Sequence, residues 1–214
     1  MKQSSIGKLF FLFCIFLIIT TVFFGCSNNT SQYRLQLNEI FNSMEALDEF
    51  YHEMVLTFEG GNTHRSKIWT KDGMIRSESE MENEVFISII HDKYSYTLMP
   101  NEKTGIKIEN DSDSISSGIF DVDSFISNLD LDNTKGISLE KYNGIDCYVV
   151  LQDISDVKVK TWLNKDTGLP IKVESTSKNT ASNFVMEFLD FKIGGVSDDF
   201  FVIPSDYEII ELNW

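Results

Sequence analysis

From residue 53 to residue 193 the chain repeats one local device, a short run of alternating apolar and polar side chains that ends at a residue pair suited to turning. Met54, Leu56 and Phe58 alternate with Glu53, Thr57 and Glu59. A period of two puts each set on one face of an extended strand. The punctuation is chemically explicit: Gly60-Gly61-Asn62, Lys71-Asp72-Gly73, Asn143-Gly144, and Asp166-Thr167-Gly168 before Pro170. Each supplies Gly or Asn where a positive φ is needed. The runs predict strands over 63–70, 74–81, 84–91, 94–99, 104–109, 136–142, 145–153, 157–164, 169–177 and 183–193. Joined by hairpins, they make a mainly antiparallel sheet.

Two stretches break the period. Over 33–48, Leu37, Ile40, Phe41, Met44 and Leu47 recur at three- and four-residue spacing, which predicts one amphipathic helix. Over 110–133, Ile119, Phe120, Val122, Phe125, Ile126 and Leu129 fall at helical spacing in an acidic, Ser-rich segment, which predicts a second helix or a pair of short ones. The fold class is mainly β, of the α+β kind. Such a sheet either closes as a barrel or curls and covers its concave face with helices. With 42% hydrophobic and 13% aromatic residues in 214, the chain can build one real core.

The N-terminus reads as an address. Lys2 and Lys8 precede an apolar run over 9–24, which is short for a spanning helix of roughly 20 residues. The run ends in Val22-Phe23-Phe24-Gly25-Cys26-Ser27, which resembles the lipobox of bacterial lipoproteins. It departs from the usual pattern by carrying Phe23 and Phe24 where Leu and a small residue are common. The resemblance implies a signal peptide over 1–25, a lipidated Cys26 that takes palmitate or a similar acyl chain, a polar tether over 26–32 and a domain over 33–214. An uncleaved short anchor and a conventional secretory cleavage are the other readings. All three place the domain on the extracytoplasmic side of a membrane.

A net charge of −15 repels nucleic acid and anionic headgroups, so membrane association must come from the N-terminus or from apolar surface. Of three cysteines, Cys14 lies in the signal and Cys26 is the acyl acceptor, leaving Cys147 as a buried, inert thiol in a strand pattern. His52, His64 and His91 lie apart, without metal-ligand spacing, and read as surface or strand-edge residues. Asp111/Asp113, Asp121/Asp123 and Asp130/Asp132 lack the Gly and terminal Glu of a calcium loop. No nucleophile elbow or phosphate loop is present, so neither an enzyme nor a cofactor or metal is expected.

What remains is an excess of large apolar side chains on a sheet. These either fill a core or wall a cavity suited to acyl chains or hydrophobic peptide segments. Leu56, Phe58, Ile87, Ile89, Met186 and Phe188 are the candidate wall residues.

Three ordered tokens carry a resemblance: Ile68-Trp69-Thr70-Lys71-Asp72-Gly73-Met74-Ile75-Arg76-Ser77-Glu78, then Asn143-Gly144-Ile145-Asp146-Cys147-Tyr148, then Lys160-Thr161-Trp162-Leu163-Asn164-Lys165-Asp166-Thr167-Gly168-Leu169-Pro170. With Phe188-Leu189-Asp190-Phe191 and Phe200-Phe201-Val202-Ile203-Pro204, they resemble the LolA-like superfamily of lipoprotein carriers and envelope regulators. The resemblance implies an unclosed, strongly curved antiparallel sheet, a half-barrel whose concave face is covered by helices around a hydrophobic cavity. It further implies a hydrophobic ligand such as a lipoprotein acyl chain. A chain held at Cys26 cannot shuttle between membranes, which favours a tethered receptor or a regulator acting on a membrane protein partner.

Overall fold

The computed structural model describes residues 29–43, 48–81, 84–110, 122–177 and 183–212. Helix α1 (Thr30–Ser43) starts inside the stretch expected to be tether and leads to β1 (Glu49–Phe58), β2 (Thr63–Lys71), β3 (Met74–Met81), β4 (Glu84–His91), β5 (Tyr94–Met99) and β6 (Thr104–Glu109). Helix α2 (Val122–Ser127) follows, then β7 (Gly136–Tyr142), β8 (Ile145–Ile154), β9 (Val157–Asn164), β10 (Pro170–Ser177) and β11 (Phe184–Ile193). A 3-10 turn (Asp198–Phe201) and β12 (Glu208–Leu212) close the order.

All of these strands form one 12-stranded sheet in the order β12-β6-β5-β4-β3-β2-β1-β11-β10-β9-β8-β7. It is curved and unclosed, with helices on its concave face. Two hairpin meanders, β1 to β6 and β7 to β11, meet where β1 pairs with β11. The turn chemistry is as the sequence dictates: Asp72 and Gly73 sit at φ 49° and 78°, Asn143 and Gly144 at 48° and 85°. Two consecutive left-handed residues give the primed turn whose twist matches the strands it joins. β12 escaped the sequence reading because it is five residues long and parallel to β6, reached without a hairpin.

Strand register assigns each residue to a face. On the concave face α1 lays Leu37 against Ile137, Tyr148, Val150 and Leu163, flanked by Leu129 and Leu131. Gly168 lets α1 approach closely, since a Cβ there would lie 2.9 Å from Ile40 Cγ2. α2 supplies Val122 to a cluster with Phe50 and Leu169.

The convex face carries its own packing. Over β2 to β6 it is crossed by the segment after β11: Phe200 stacks on Trp69 with ring centroids 5.0 Å apart, and Arg76 donates to the Phe200 carbonyl at 2.9 Å. Lys71 donates to the Val196 carbonyl and pairs with Asp198 at 2.6 Å. Ile89, Leu98, Val196 and Phe201 are buried. At β7 to β10 this face buries Cys147, Val149 and Trp162, and Lys160 and Lys172 lie 4.4 and 4.8 Å from the Trp162 ring centroid. Their aliphatic stems cover the apolar surface while the charges stay in water.

Candidate functional site: the open end of the concave face

Up-and-down connectivity gives the half-barrel two ends. One carries the β2–β3, β4–β5, β7–β8 and β9–β10 turns; the other carries the β1–β2, β5–β6 and β8–β9 turns. α1 begins at the second end, where the Ile137 amide donates to Thr30 Oγ1 at 3.4 Å, and finishes at the first, against Gly168. α2 also packs toward the first end, on Phe50 and Leu169. Among the described residues, the helices therefore cover the first end most fully and leave the concave face of β1, β10 and β11 uncovered at the second.

Four of the six candidate wall residues come together there. On one face of the β1/β11 pair, Met54 lies opposite Phe188, Leu56 opposite Met186, and Phe58 opposite Phe184. Burial falls along the strip, from Phe188 at 4% exposed to Phe58 at 37%. A cavity of about 250 Å³ opens at the ends of these strands, lined by Phe58, Ser175 and Phe184 of the concave face and by Thr57, Glu174, Thr176 and Val185 of the convex face, with Glu59 and Asn183 beside them. Its rim is braced by Asn183, whose side chain donates to Glu59 Oε2 and accepts from the Ser177 amide, and by the edge-on ring contact of Phe58 with His64.

Ile87 and Ile89 do not join this wall. The β3/β4 register pairs Glu78 with Ile87 and Arg76 with Ile89, which puts both on the convex face, where Ile89 is fully buried. The strand reads Val85-Phe86-Ile87-Ser88-Ile89-Ile90, apolar on both faces, so alternation alone could not choose between them. Sequence reasoning in turn missed Met54 and Phe184. The signal was available in the cross-strand pairing, which places both opposite residues already chosen.

His52 overturns the expectation of a surface or strand-edge histidine. It is fully buried in mid-strand, with neither ring nitrogen hydrogen-bonded. A bulge in β11 opposite it, with Asp190 at φ 51°, turns Phe191 onto the concave side, where it stacks on the imidazole at 5.0 Å. Phe50 and Phe188 complete the aromatic surround. Burial lowers the His52 pKa to about 4, so the ring is neutral at pH 7.

His64 and His91 lie apart from it, and among the described residues no cluster of His, Cys, Asp and Glu could hold a metal ion. Cys147 is a buried free thiol whose pKa is pushed up by burial. Asp130 accepts from the Asp132 and Asn133 amides and so braces its own loop. The positions 1–25, Cys26, Asp111, Asp113 and Asp121 lie outside the described residues.

Comparison with known proteins gives a likeness of fold. No family model and no curated protein matches the chain. Among solved structures, an uncharacterized conserved protein from Thermus thermophilus is similar over 85% of this chain and 99% of its own, with TM-score 0.54 and 9% identity. A structure of MucB aligns with 86% of this chain and 66% of its own, at TM-score 0.49 and 14% identity. The Pseudomonas aeruginosa MucA/MucB complex aligns at TM-score 0.48 and 13% identity, covering 86% of this chain and 64% of that one. The chain thus spans about two thirds of the MucB length. Shared with the Thermus thermophilus protein is the fold alone, and it is the architecture that the LolA-like resemblance implies.

Proposed function

We propose that this chain is an extracytoplasmic lipoprotein, held to the membrane through Cys26, that binds an apolar ligand at the open end of its concave face and catalyses no reaction. The observation that supports it is the β1/β11 strip, where Leu56, Phe58, Phe184 and Met186 stay partly accessible and end at a 250 Å³ cavity, while the concave face of β7 to β9 packs under α1. That volume is just below the ~300–1,000 Å³ of drug-sized sites, which suits the end of an acyl chain or a few apolar side chains.

Native mass spectrometry of the full chain, extracted from membranes in mild detergent, is expected to show bound lipid, and Phe58→Ser with Phe184→Ser to lose it while keeping the far-ultraviolet spectrum. Wild-type protein recovered empty, with no uptake of a fluorescent fatty acid, would remove this reading.

A second reading, an envelope regulatory lipoprotein acting through a membrane protein partner with no transported cargo, draws on the edge strand β7. There Leu139 is 43% exposed, beside a backbone that β8 pairs on one side only. An extended segment of a partner could add to that edge. In-cell crosslinking from position 139 giving one protein adduct, on ligand-free protein, would favour it.

A further inference from the structure

We infer that the end of the half-barrel carrying the open cavity docks onto the bilayer that holds the protein, so that an acyl ligand enters from the membrane and not from solvent. The inference rests on the tethered-lipoprotein reading and adds an orientation to it.

Its first support is the place where the chain leaves the domain. The Tyr33 amide donates to the Asn29 carbonyl at 2.9 Å, so α1 is already hydrogen-bonded from Asn29, and Thr30 is fastened to the start of β7. Only Ser27 and Asn28 separate Asn29 from Cys26. Fully extended, that link reaches roughly 10–11 Å at about 3.3–3.6 Å per residue. An acyl anchor on Cys26 therefore holds the start of α1, and the end of the sheet where β7 begins, against the headgroups.

The second support is that the cavity opens at this same end. Between β7 and β1 the sheet runs through β8, β9, β10 and β11, an arc of about 24 Å at ~4.8 Å per strand. The mouth beside Phe58 and Phe184 thus lies within one domain width of the anchor, facing the same way.

The third is the surface at that end. Large apolar side chains stand out on three separate hairpins there: Phe58 before the β1–β2 turn, Met81 and Val85 on β3 and β4, and Ile154 at the end of β8. Met81 and Ile154 are 51% and 56% exposed. Ile145 and Ile193, 38% and 67% exposed, stand out at the opposite end too, so what sets this end apart is the coincidence of its apolar residues with the anchor and the mouth. The net charge of −15 disfavours adsorption of a free domain on an anionic surface, so contact depends on the short tether, which keeps the local concentration of bilayer high.

The test uses the full acylated chain in phosphatidylcholine vesicles that contain lipid with a nitroxide on its acyl chain. Ile154→Cys and Met81→Cys report on the proposed docking end; Ile145→Cys and Ile193→Cys report on the opposite one. Each is labelled with an environment-sensitive fluorophore. Several-fold stronger quenching at positions 81 and 154 is expected, and it should weaken when a long Gly-Ser insertion separates Ser27 from Asn28. Equal quenching at both ends, stronger quenching at 145 and 193, or an asymmetry unmoved by the insertion overturns the inference. Bound lipid is measured by mass spectrometry on the same samples. Asymmetric quenching on ligand-free protein removes the ligand reading alone; bound lipid without asymmetry removes the orientation alone.

Discussion

The two halves of the single sheet carry their covering segments on opposite faces. In β7 to β9 the main core is on the concave side, where α1 presses Leu37 onto Tyr148, Val150 and Leu163. In β4 to β6 the most buried side chains, Ile89 and Leu98, point the other way, to the face crossed by the segment carrying Val196, Phe200 and Phe201. The concave face of β3 to β5 mixes Ser77, Ser79, Ser88, Ser95 and Thr97 with Ile75, Phe86 and the buried Ile90. A curved sheet can thus be stabilised from either side, strand by strand. Where the halves meet, β1 and β11 carry an apolar concave strip whose exposed end borders the cavity at the strand ends.

If the two cores are separate, truncations in them should be large and additive. Leu37→Ala and Leu98→Ala should each lower unfolding free energy by about 2–5 kcal/mol, because both side chains are essentially inaccessible. Denaturant titration of the double variant should return the sum to within about 0.5 kcal/mol. A clear shortfall would mean that the halves share one core.

His52 sits at the junction and should link it to pH. Its folded pKa of about 4 lies below the ordinary histidine value of 6.5, so the neutral ring is the form that folds. The associated stability is complete above pH 6.5 and is lost as pH falls toward 4, by about 3 kcal/mol in all. His52→Phe should abolish that loss, measured as thermal midpoints from pH 7 to 4. An unchanged acid slope would assign it to the carboxylates.

The two close-packed glycines sharpen the contrast. Gly105→Ala drives a Cβ to 2.7 Å from Leu98 Cδ2 and 2.8 Å from Ile209 Cδ1 on the convex side. Gly168→Ala meets α1 and also sits at φ 74°. Each should cost about 1–3 kcal/mol. Gly168→Ala alone should disturb α1, seen as faster amide exchange at Leu37 and its neighbours.

The smallest effect is expected at Thr161. It is fully buried in the concave core, with a hydroxyl that lacks a hydrogen-bond partner. Thr161→Val should therefore be neutral or stabilising, by less than about 1 kcal/mol. A destabilisation of 1 kcal/mol or more would show that the hydroxyl has a partner in solution.

Local chemistry determined a great deal here. Strand existence and most strand limits followed from the period of two, and the turns from Asp72-Gly73 and Asn143-Gly144, because alternation and positive φ are properties of a few neighbouring residues. The helix built on Leu37, Ile40 and Phe41 was legible for the same reason. In the candidate site, Leu56, Phe58, Met186 and Phe188 were legible as one alternating set on strands that pair. Tertiary structure alone decided that β1 pairs with β11, that β12 returns parallel to β6, and that Ile87 and Ile89 serve the convex face. It also decided that His52 is buried among rings, since that depends on a bulge in a strand far along the chain. A period of two states that a strand has two faces. Which face is buried depends on the helix or crossing segment that covers it, and those contacts join residues more than a hundred positions apart, such as Arg76 and Phe200.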